Sequence, residues 1–136
     1  MKDGQLGPTG GVVPHISIDG AAQASEYYQR AFGARELARI PAEDGKRLIH
    51  CHLEINGGSL MINDHFPDYG FGPQPSHNFT MHLQVDDVDA WWARALDAGA
   101  EIKMPLEVQF WGDRYGQLRD GFGIHWSLGQ TMEQSA

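Results

Sequence analysis

The sequence predicts an α+β fold in which two βαβββ modules follow one another, with helices outside a curved, cup-like mixed sheet. Two observations favour this fold. The segment HISID, which begins at His15, returns in altered form as HLQVD at His82, 67 residues later. A helical stretch with a pair of aromatic residues follows each copy and ends at Gly33 and at Gly99. Because the offset is about half of the 136 residues, the repeat predicts one pseudo-symmetric domain over residues 1–136.

Module one is expected over about residues 12–64. Apolar and polar residues alternate in its strands, and Gly33 ends its helix. An Asn56-Gly57-Gly58 turn joins its last two strands. The expected elements are a strand over 12–19, a helix over 21–32 and strands near 34–40, 46–55 and 58–64.

Module two is expected over about residues 78–129, after a flexible linker over 65–77 that proline and glycine interrupt. Residues 1–11 are rich in glycine and predict a mobile lead-in, and the tail from Gln130 is expected to fray. The expected elements of module two are a strand over 78–86, a helix over 87–98 and strands near 100–108, 111–119 and 123–129.

Composition restricts the class of protein and its partners. The chain has 41% hydrophobic and 21% charged residues, which is typical of a soluble globular domain. A net charge of −8 argues against nucleic acid and anionic membranes, and no apolar run is long enough to span a bilayer. Cys51 is the single cysteine, so we expect no intrachain disulfide and a cytoplasmic location. The alternation of Cys51 with Ile49 and Leu53 favours a buried structural thiol over a nucleophile.

Alternation along the strands turns five of the seven histidines away from the helices. If those faces form the concave side of the sheet, the histidines line a pocket and suit metal binding or proton transfer near neutral pH. The alternative is a partly solvated sheet face without a function. His15 and His82 are equivalent in the repeat, which favours a common pocket for these two. The five are His15, His50, His52, His82 and His125.

Sequence motifs extend the prediction to a family. The run FWGDRYGQLRDGFG begins at Phe110, HCHL begins at His50 before a Gly-Gly hairpin, DHFP begins at Asp64, and VDDVD at Val85 enters helix two. On these motifs the chain resembles the glyoxalase/bleomycin resistance/dioxygenase superfamily, also called vicinal oxygen chelate, and within it the PhnB-like branch, over about residues 12–129. The resemblance implies paired βαβββ modules that form a cup, in a homodimer.

The resemblance also implies where a divalent metal is bound in many enzymes of that superfamily. The first strand of each module supplies histidine, and the last strand supplies glutamate. Aligned on the repeat, these positions hold Val13 and Thr80 on the first strands and fall near Ile62 and Ser127 on the last. None of the four is a good metal ligand, so we expect the standard site to be lost. His15 and His82 lie two residues further along their strands, and two histidines alone do not make a catalytic metal site.

Two functions remain open at this point. The preferred one is a protein that binds an unidentified small molecule in the sheet concavity without a metal or other cofactor, in the manner of bleomycin-resistance members. The alternative is a metal-dependent lyase, isomerase or dioxygenase with a rearranged histidine site. For Arg114 the sequence leaves open a place in the cup or a structural pairing with Asp113. The residues expected to contact the ligand are His15, His50, His52, Glu54, His82, Gln84, Trp111, Arg114 and His125.

Overall fold

The computed structural model describes residues 1–8, 10–74 and 78–132. The chain divides into two compact units, Met1–Pro75 and Ser76–Ala136. Each unit holds four strands and one helix in the order βαβββ, which confirms the predicted α+β class and its two modules. Residues 75–77 of the expected linker and 133–136 of the expected tail lie outside the described residues. Across the described ranges, no helix is both long enough and apolar enough to cross a membrane.

The first unit is built on one mixed sheet in the order β1-β4-β3-β2, in which β1 runs parallel to β4 and the other neighbours are antiparallel. The hairpin between its last two strands turns at Asn56 and Gly57, whose φ angles of 50° and 81° are those of a type I′ turn. The elements are β1 (His15–Ile18), α1 (Ala21–Phe32), β2 (Arg35–Pro41), β3 (Leu48–Ile55) and β4 (Gly58–Asp64).

The core of the first unit lies between α1 and one face of its sheet. The helix buries Ala24, Tyr28 and Phe32 at intervals of one turn, and the sheet presents Leu53 and Ile62 among its buried residues. The small side chain of Ala24 occupies the same helix face as the two aromatic rings. Gly33 ends α1 in the left-handed region, at a φ of 65°, as its place after the amphipathic stretch predicts.

The start of each helix is held by the last strand of the same unit. Asp64 on β4 is buried, and its carboxylate accepts hydrogen bonds from Gly20 N at 2.8 Å, Ala21 N at 3.0 Å and Leu48 N at 2.7 Å. These bonds satisfy free N–H groups at the helix start and place a negative charge at the positive end of the helix. In the second unit, Gln130 Oε1 accepts one hydrogen bond from Val88 N at 2.9 Å.

The second unit repeats the sheet as β5-β8-β7-β6, with β5 parallel to β8. The prediction that the tail frays from Gln130 onwards was wrong for Gln130 and Thr131, because both belong to β8 and pair with β7. Pairing with β7 provides the hydrogen bonds that an isolated tail would lack. The elements are β5 (Met81–Gln84), α2 (Val88–Asp97), β6 (Glu101–Val108), β7 (Asp113–Arg119) and β8 (His125–Thr131).

Gly116 sets the distance between helix and sheet in the second unit. It is buried on β7, and a Cβ built on it would lie 2.6 Å from two atoms of the Trp92 indole and 3.0 Å from Leu106 Cα. Trp92 comes from α2 and is 9% exposed. The absence of a side chain at Gly116 therefore lets a large aromatic ring pack directly on the strand backbone.

Candidate functional site

The polar face of the first sheet is covered by the N-terminal residues. His52 is completely buried, and its ring contacts Gln5 O at 2.7 Å through Nδ1 and Ser59 Oγ at 2.8 Å through Nε2. His50 Nε2 lies 2.5 Å from Leu6 O. The expectation of a mobile lead-in was wrong for these residues, because their backbone carbonyls find hydrogen-bonding partners on β3. Both ring nitrogens of His52 and the Nε2 of His50 therefore have protein partners.

The remaining predicted residues of the first unit differ in their surroundings. Glu54 on β3 accepts a hydrogen bond from Arg35 Nη2 at 3.0 Å. His15 on β1 is exposed and pairs in register with Met61 of β4, which also pairs with His52 of β3. His15 and His52 therefore flank Met61 in this sheet, one at the surface and one in the interior.

Cys51 is a buried thiol in the core of the first unit, as its alternation predicted. Burial and the neighbouring carboxylate of Glu36 raise the pKa of the Cys51 thiol to about 12. Cys51 Sγ donates a hydrogen bond to Glu36 Oε1 at 3.3 Å. A thiol that stays protonated in this way is a poor nucleophile at neutral pH.

The second unit places a chain of hydrogen bonds around His82. Asp113 Oδ2 accepts from Gln84 Nε2 at 3.2 Å, which turns Gln84 Oε1 towards His82 Nε2 at 2.7 Å. Because that amide oxygen can only accept, His82 carries its proton on Nε2 and accepts at Nδ1 from the hydroxyl of Ser127 at 2.8 Å. Both ring nitrogens of His82 are therefore engaged, and binding a metal would require breaking one of these bonds.

Aromatic rings complete this surface, which we call the His82 face (His82, Gln84, Trp111, Tyr115 and Ser127). The imidazole of His82 stacks on Tyr115 with centroids 5.8 Å apart, and Trp111 meets the same Tyr115 edge-on at 5.3 Å. A Cβ at Gly129 of β8 would lie 2.9 Å from Gln84 Oε1 and 3.1 Å from His82 Cε1. Glycine at this position leaves room for both side chains to lie across β8.

Arg114 and His125 do not take part in the hydrogen bonds of His82 described above. Arg114 on β7 donates to Asp89 of α2, with Nη2 2.8 Å from Oδ1, so it joins the strand to the helix. Asp113 pairs with Gln84 instead. His125 lies at the start of β8, half-buried, opposite Arg119 of β7. The structure thus brings together His82, Gln84 and Trp111 among the predicted residues of the second unit.

Many members of the superfamily that this sequence resembles bind a metal ion at four positions. At these positions the present chain has side chains that are poor metal ligands. Ile62 is buried and pairs with Ile16 and Cys51 in the core, so the place that corresponds to Ser127 is Met61 rather than Ile62. The pairing of His15 with Met61 and of His82 with Ser127 shows this equivalence. Over the described ranges, no three His, Cys, Asp or Glu side chains come together in a way that could hold a metal ion. The residues present do not fit the metal that the superfamily implies.

The first unit contains a cavity of about 710 Å³, which we call the first-unit cavity. This volume lies within the range of small-molecule pockets. One side is formed by the turn 42–47 between β2 and β3, and the other by an aromatic loop over 66–71. Its lining residues are Ser17, Ala42, Glu43, Asp44, Arg47, Ile49, Asn63, Asp64, Phe66, Tyr69 and Phe71.

Arg47 holds the two sides of this cavity together. Its guanidinium bonds to Asp44 at 2.7 Å and to both carboxylate oxygens of Asp68, and it lies 4.4 Å from the centre of the Phe66 ring. Backbone hydrogen bonds from Lys46 and Arg47, then the Arg47 side chain, lower the pKa of Asp44 to about 2. A hydrogen bond from Arg47 also lowers the pKa of Asp68. Both carboxylates are therefore ionised at neutral pH.

None of the residues predicted from the sequence to contact ligand lines the first-unit cavity. Three of the eleven missed residues lie in the predicted linker, where proline and glycine favoured a structureless connector. The available signal was the density of aromatic residues: Phe66, Tyr69 and Phe71 lie within six positions. Several aromatic side chains so close together in a linker indicate packing or binding rather than a flexible spacer.

Comparison with known proteins identifies the family. The family model of the Glyoxalase/Bleomycin resistance protein/Dioxygenase superfamily matches residues 12–128, and the chain belongs to this superfamily. The uncharacterized protein Mb0911c of Mycobacterium bovis is 48% identical over 127 residues, which cover 89% of this chain and 83% of that protein. The crystal structure of TioX from Micromonospora sp. ML1 is similar with a TM-score of 0.74 at 29% identity, covering 91% of this chain and all of TioX.

The PhnB-like branch is supported less strongly than the superfamily. A PhnB protein from Bacillus cereus has a TM-score of 0.70 and covers 89% of this chain and 99% of its own, but only 19% of the aligned residues are identical. At this identity the likeness shows the shared fold alone. The resemblance to the superfamily is confirmed, whereas membership of the branch stays a prediction.

Proposed function

We propose that this protein binds a small organic molecule without a metal ion, and that the first-unit cavity is its binding site. The observation that carries the proposal is the cavity itself, with a volume of about 710 Å³ and three aromatic rings in its lining. Pockets of this size with aromatic walls and a few polar groups are typical of ligand sites. Absence of metal is supported by Met61 and Ser127, which stand where many superfamily enzymes have carboxylates.

A thermal-shift screen of small organic molecules, run with and without a chelator, tests this proposal. Compounds that bind should raise the unfolding temperature equally in both conditions. Phe71→Ala should abolish the shift, because it removes an exposed ring of the cavity lining. Phe79→Ala is the matched control, since Phe79 is also exposed but lies outside this lining. Binding that a chelator abolishes, or hits unaffected by Phe71→Ala, would contradict the proposal.

The predicted contact residues His15 and His82 provide a separate test of binding. Replacement of either by glutamine keeps hydrogen-bonding capacity but removes the imidazole. Neither residue lines the first-unit cavity, so the proposal expects affinity to be unchanged in both variants. A fall in affinity with little change in stability would instead favour ligand contact at the histidines and contradict the proposed site. If His82 only supports the sheet, loss of its bonds to Ser127 and Gln84 should lower stability, by about 1–3 kcal/mol, and leave affinity unchanged.

The metal-dependent alternative is tested by calorimetric titration with zinc, nickel, manganese and iron(II). We expect no tight stoichiometric binding, because Val13, Met61, Thr80 and Ser127 offer no imidazole or carboxylate. Submicromolar binding that disappears in His15→Ala or His82→Ala would overturn this expectation and favour the enzyme.

Two further properties are part of the proposal. From the superfamily we propose a homodimer, for which light scattering should give about twice the 15.1 kDa of one chain. A monomer at micromolar concentration would refute it. From the single cysteine we propose that the protein works in the reducing cytoplasm, and cell fractionation tests this location.

A further inference from the structure

We propose that the first-unit cavity selects an organic cation with a flat aromatic body. This ligand class rests on the proposed function, because it assumes that the cavity is a binding site. Three features carry it: exposed aromatic rings at one side, an arginine whose charge is already neutralised, and a carboxylate with no partner among the residues that the structure describes.

The aromatic loop is held in a fixed shape. Phe66 and Phe71 exchange two backbone hydrogen bonds, of 2.8 and 2.9 Å, around the short 3₁₀ turn Pro67–Tyr69. The side chains of Tyr69 and Phe71 are nevertheless 71% and 72% exposed. Rings that the backbone holds in place but leaves exposed are ready to stack on a flat ligand. Their faces carry the negative side of the ring quadrupole, which attracts cations.

Arg47 is the one cationic side chain among the lining residues, and it is not available to an anion. Its guanidinium donates three hydrogen bonds, one to Asp44 and two to the carboxylate oxygens of Asp68, while its flat face covers Phe66. An anionic ligand would have to displace two ionised carboxylates from this group. The cavity therefore offers no free positive charge for a phosphate, sulfonate or carboxylate.

Negative charge exceeds positive charge in this cavity. The lining residues include three carboxylates, Glu43, Asp44 and Asp64, and one cationic side chain, Arg47. The oxygens of Asp64 are used by backbone N–H groups, whereas the carboxylate of Glu43 has no hydrogen bond or ion pair with any residue that the structure describes. The net charge of −8 adds a long-range attraction for cations. Glu43 is thus the residue expected to face the positive group of the ligand.

The test uses two fluorescent dyes that share one skeleton. Dimethylaminostyryl-N-methylpyridinium carries a permanent positive charge, and its unmethylated pyridine parent is neutral in mildly alkaline buffer. Anilinonaphthalene sulfonate serves as the anionic aromatic probe. We expect the cation to bind about tenfold more tightly than the neutral parent, and the anion to bind most weakly. Glu43→Gln should weaken the cation about threefold or more and leave the neutral dye unchanged.

Matched variants separate charge from ring contacts. Glu26→Gln removes one negative charge from an exposed position of α1 outside the cavity and should change neither affinity. Phe71→Ala should weaken the cationic and neutral dyes alike, and circular dichroism confirms that each variant is folded. Equal affinity for the cation and its neutral parent, both lost in Phe71→Ala, would overturn the cation preference and leave the proposed function intact. The ligand class would be refuted if none of the three dyes bound, or if the anionic dye bound most tightly. The proposed function is refuted separately, if the screen of small organic molecules also finds no binding.

Discussion

Replacement of Gly116 by alanine should destabilise the protein through one close contact. The added Cβ would lie 2.6 Å from the Trp92 indole, about 1 Å short of an ordinary carbon–carbon contact. Forcing a methyl group into a packed core costs about 1–3 kcal/mol, and alanine recovers about 0.5–1 kcal/mol that glycine loses in a strand. The net expectation is a loss of about 1–2 kcal/mol in the free energy of unfolding.

Urea denaturation followed by circular dichroism measures this loss as a lower midpoint at an unchanged slope. Gly58→Ala is the control, because its nearest contact would be an ordinary 3.6 Å to Ile55 O, and it should leave stability unchanged or slightly higher. Trp92→Phe removes the ring atoms that the new methyl group would meet. If Gly116→Ala costs as much in the Trp92→Phe background as in the wild type, the close approach to the indole is not the cause.

Four further outcomes are expected. Asp64→Asn should lower the free energy of unfolding by about 1–3 kcal/mol in urea, because an amide group would face a backbone N–H, whereas exposed Asp19→Asn should not. Above pH 9 the unfolded Cys51 thiol ionises while the folded thiol stays protonated up to about pH 12, so wild-type stability should fall with rising pH in that window more steeply than that of Cys51→Ala. Gly121→Ala should raise the unfolding midpoint slightly, because no atom lies within 4 Å of the new Cβ; a loss of stability would contradict this. Long-range proton–nitrogen NMR should find the His82 proton on Nε2 at alkaline pH, and a proton on Nδ1 would refute the hydrogen-bond directions assigned to Gln84 and Ser127.

The repeat and the alternation of side chains were sufficient to predict the order βαβββ in both units, but not the 3₁₀ turn Pro67–Tyr69 or the extension of β8 to Thr131. Gly33 ended the first helix as expected, and the Asn56-Gly57 turn formed the hairpin that its residues favour. These features depend on local backbone preference and on a period of two or 3.6 residues, both of which can be read directly from a sequence. The strand faces were predicted less well, because Ile49 is 52% exposed where the alternation placed it in the core.

The candidate site was harder to predict because it depends on contacts between distant residues. Arg47 meets Asp68 across 21 positions, and Gln5 meets His52 across 47. No local pattern encodes either contact. The histidines could be assigned to strand faces, but the sequence did not show that Leu6 and Gln5 would supply partners for His50 and His52. The linker was judged by its prolines and glycines, although its aromatic residues proved more informative.

The cover that residues 1–7 provide on the first sheet has an evolutionary consequence. Duplication of one ancestral module would have produced two copies under the same constraints. In this chain one copy has committed its buried histidine to an internal backbone partner, while the other has assembled an imidazole, an amide and aromatic rings into a single surface. Substitutions at equivalent positions should therefore be tolerated differently in the two halves. Gln117 is the counterpart of His52, because it pairs with Ser127 as His52 pairs with Met61. A library of variants sorted for stability would show this divergence as unequal tolerance at these two positions.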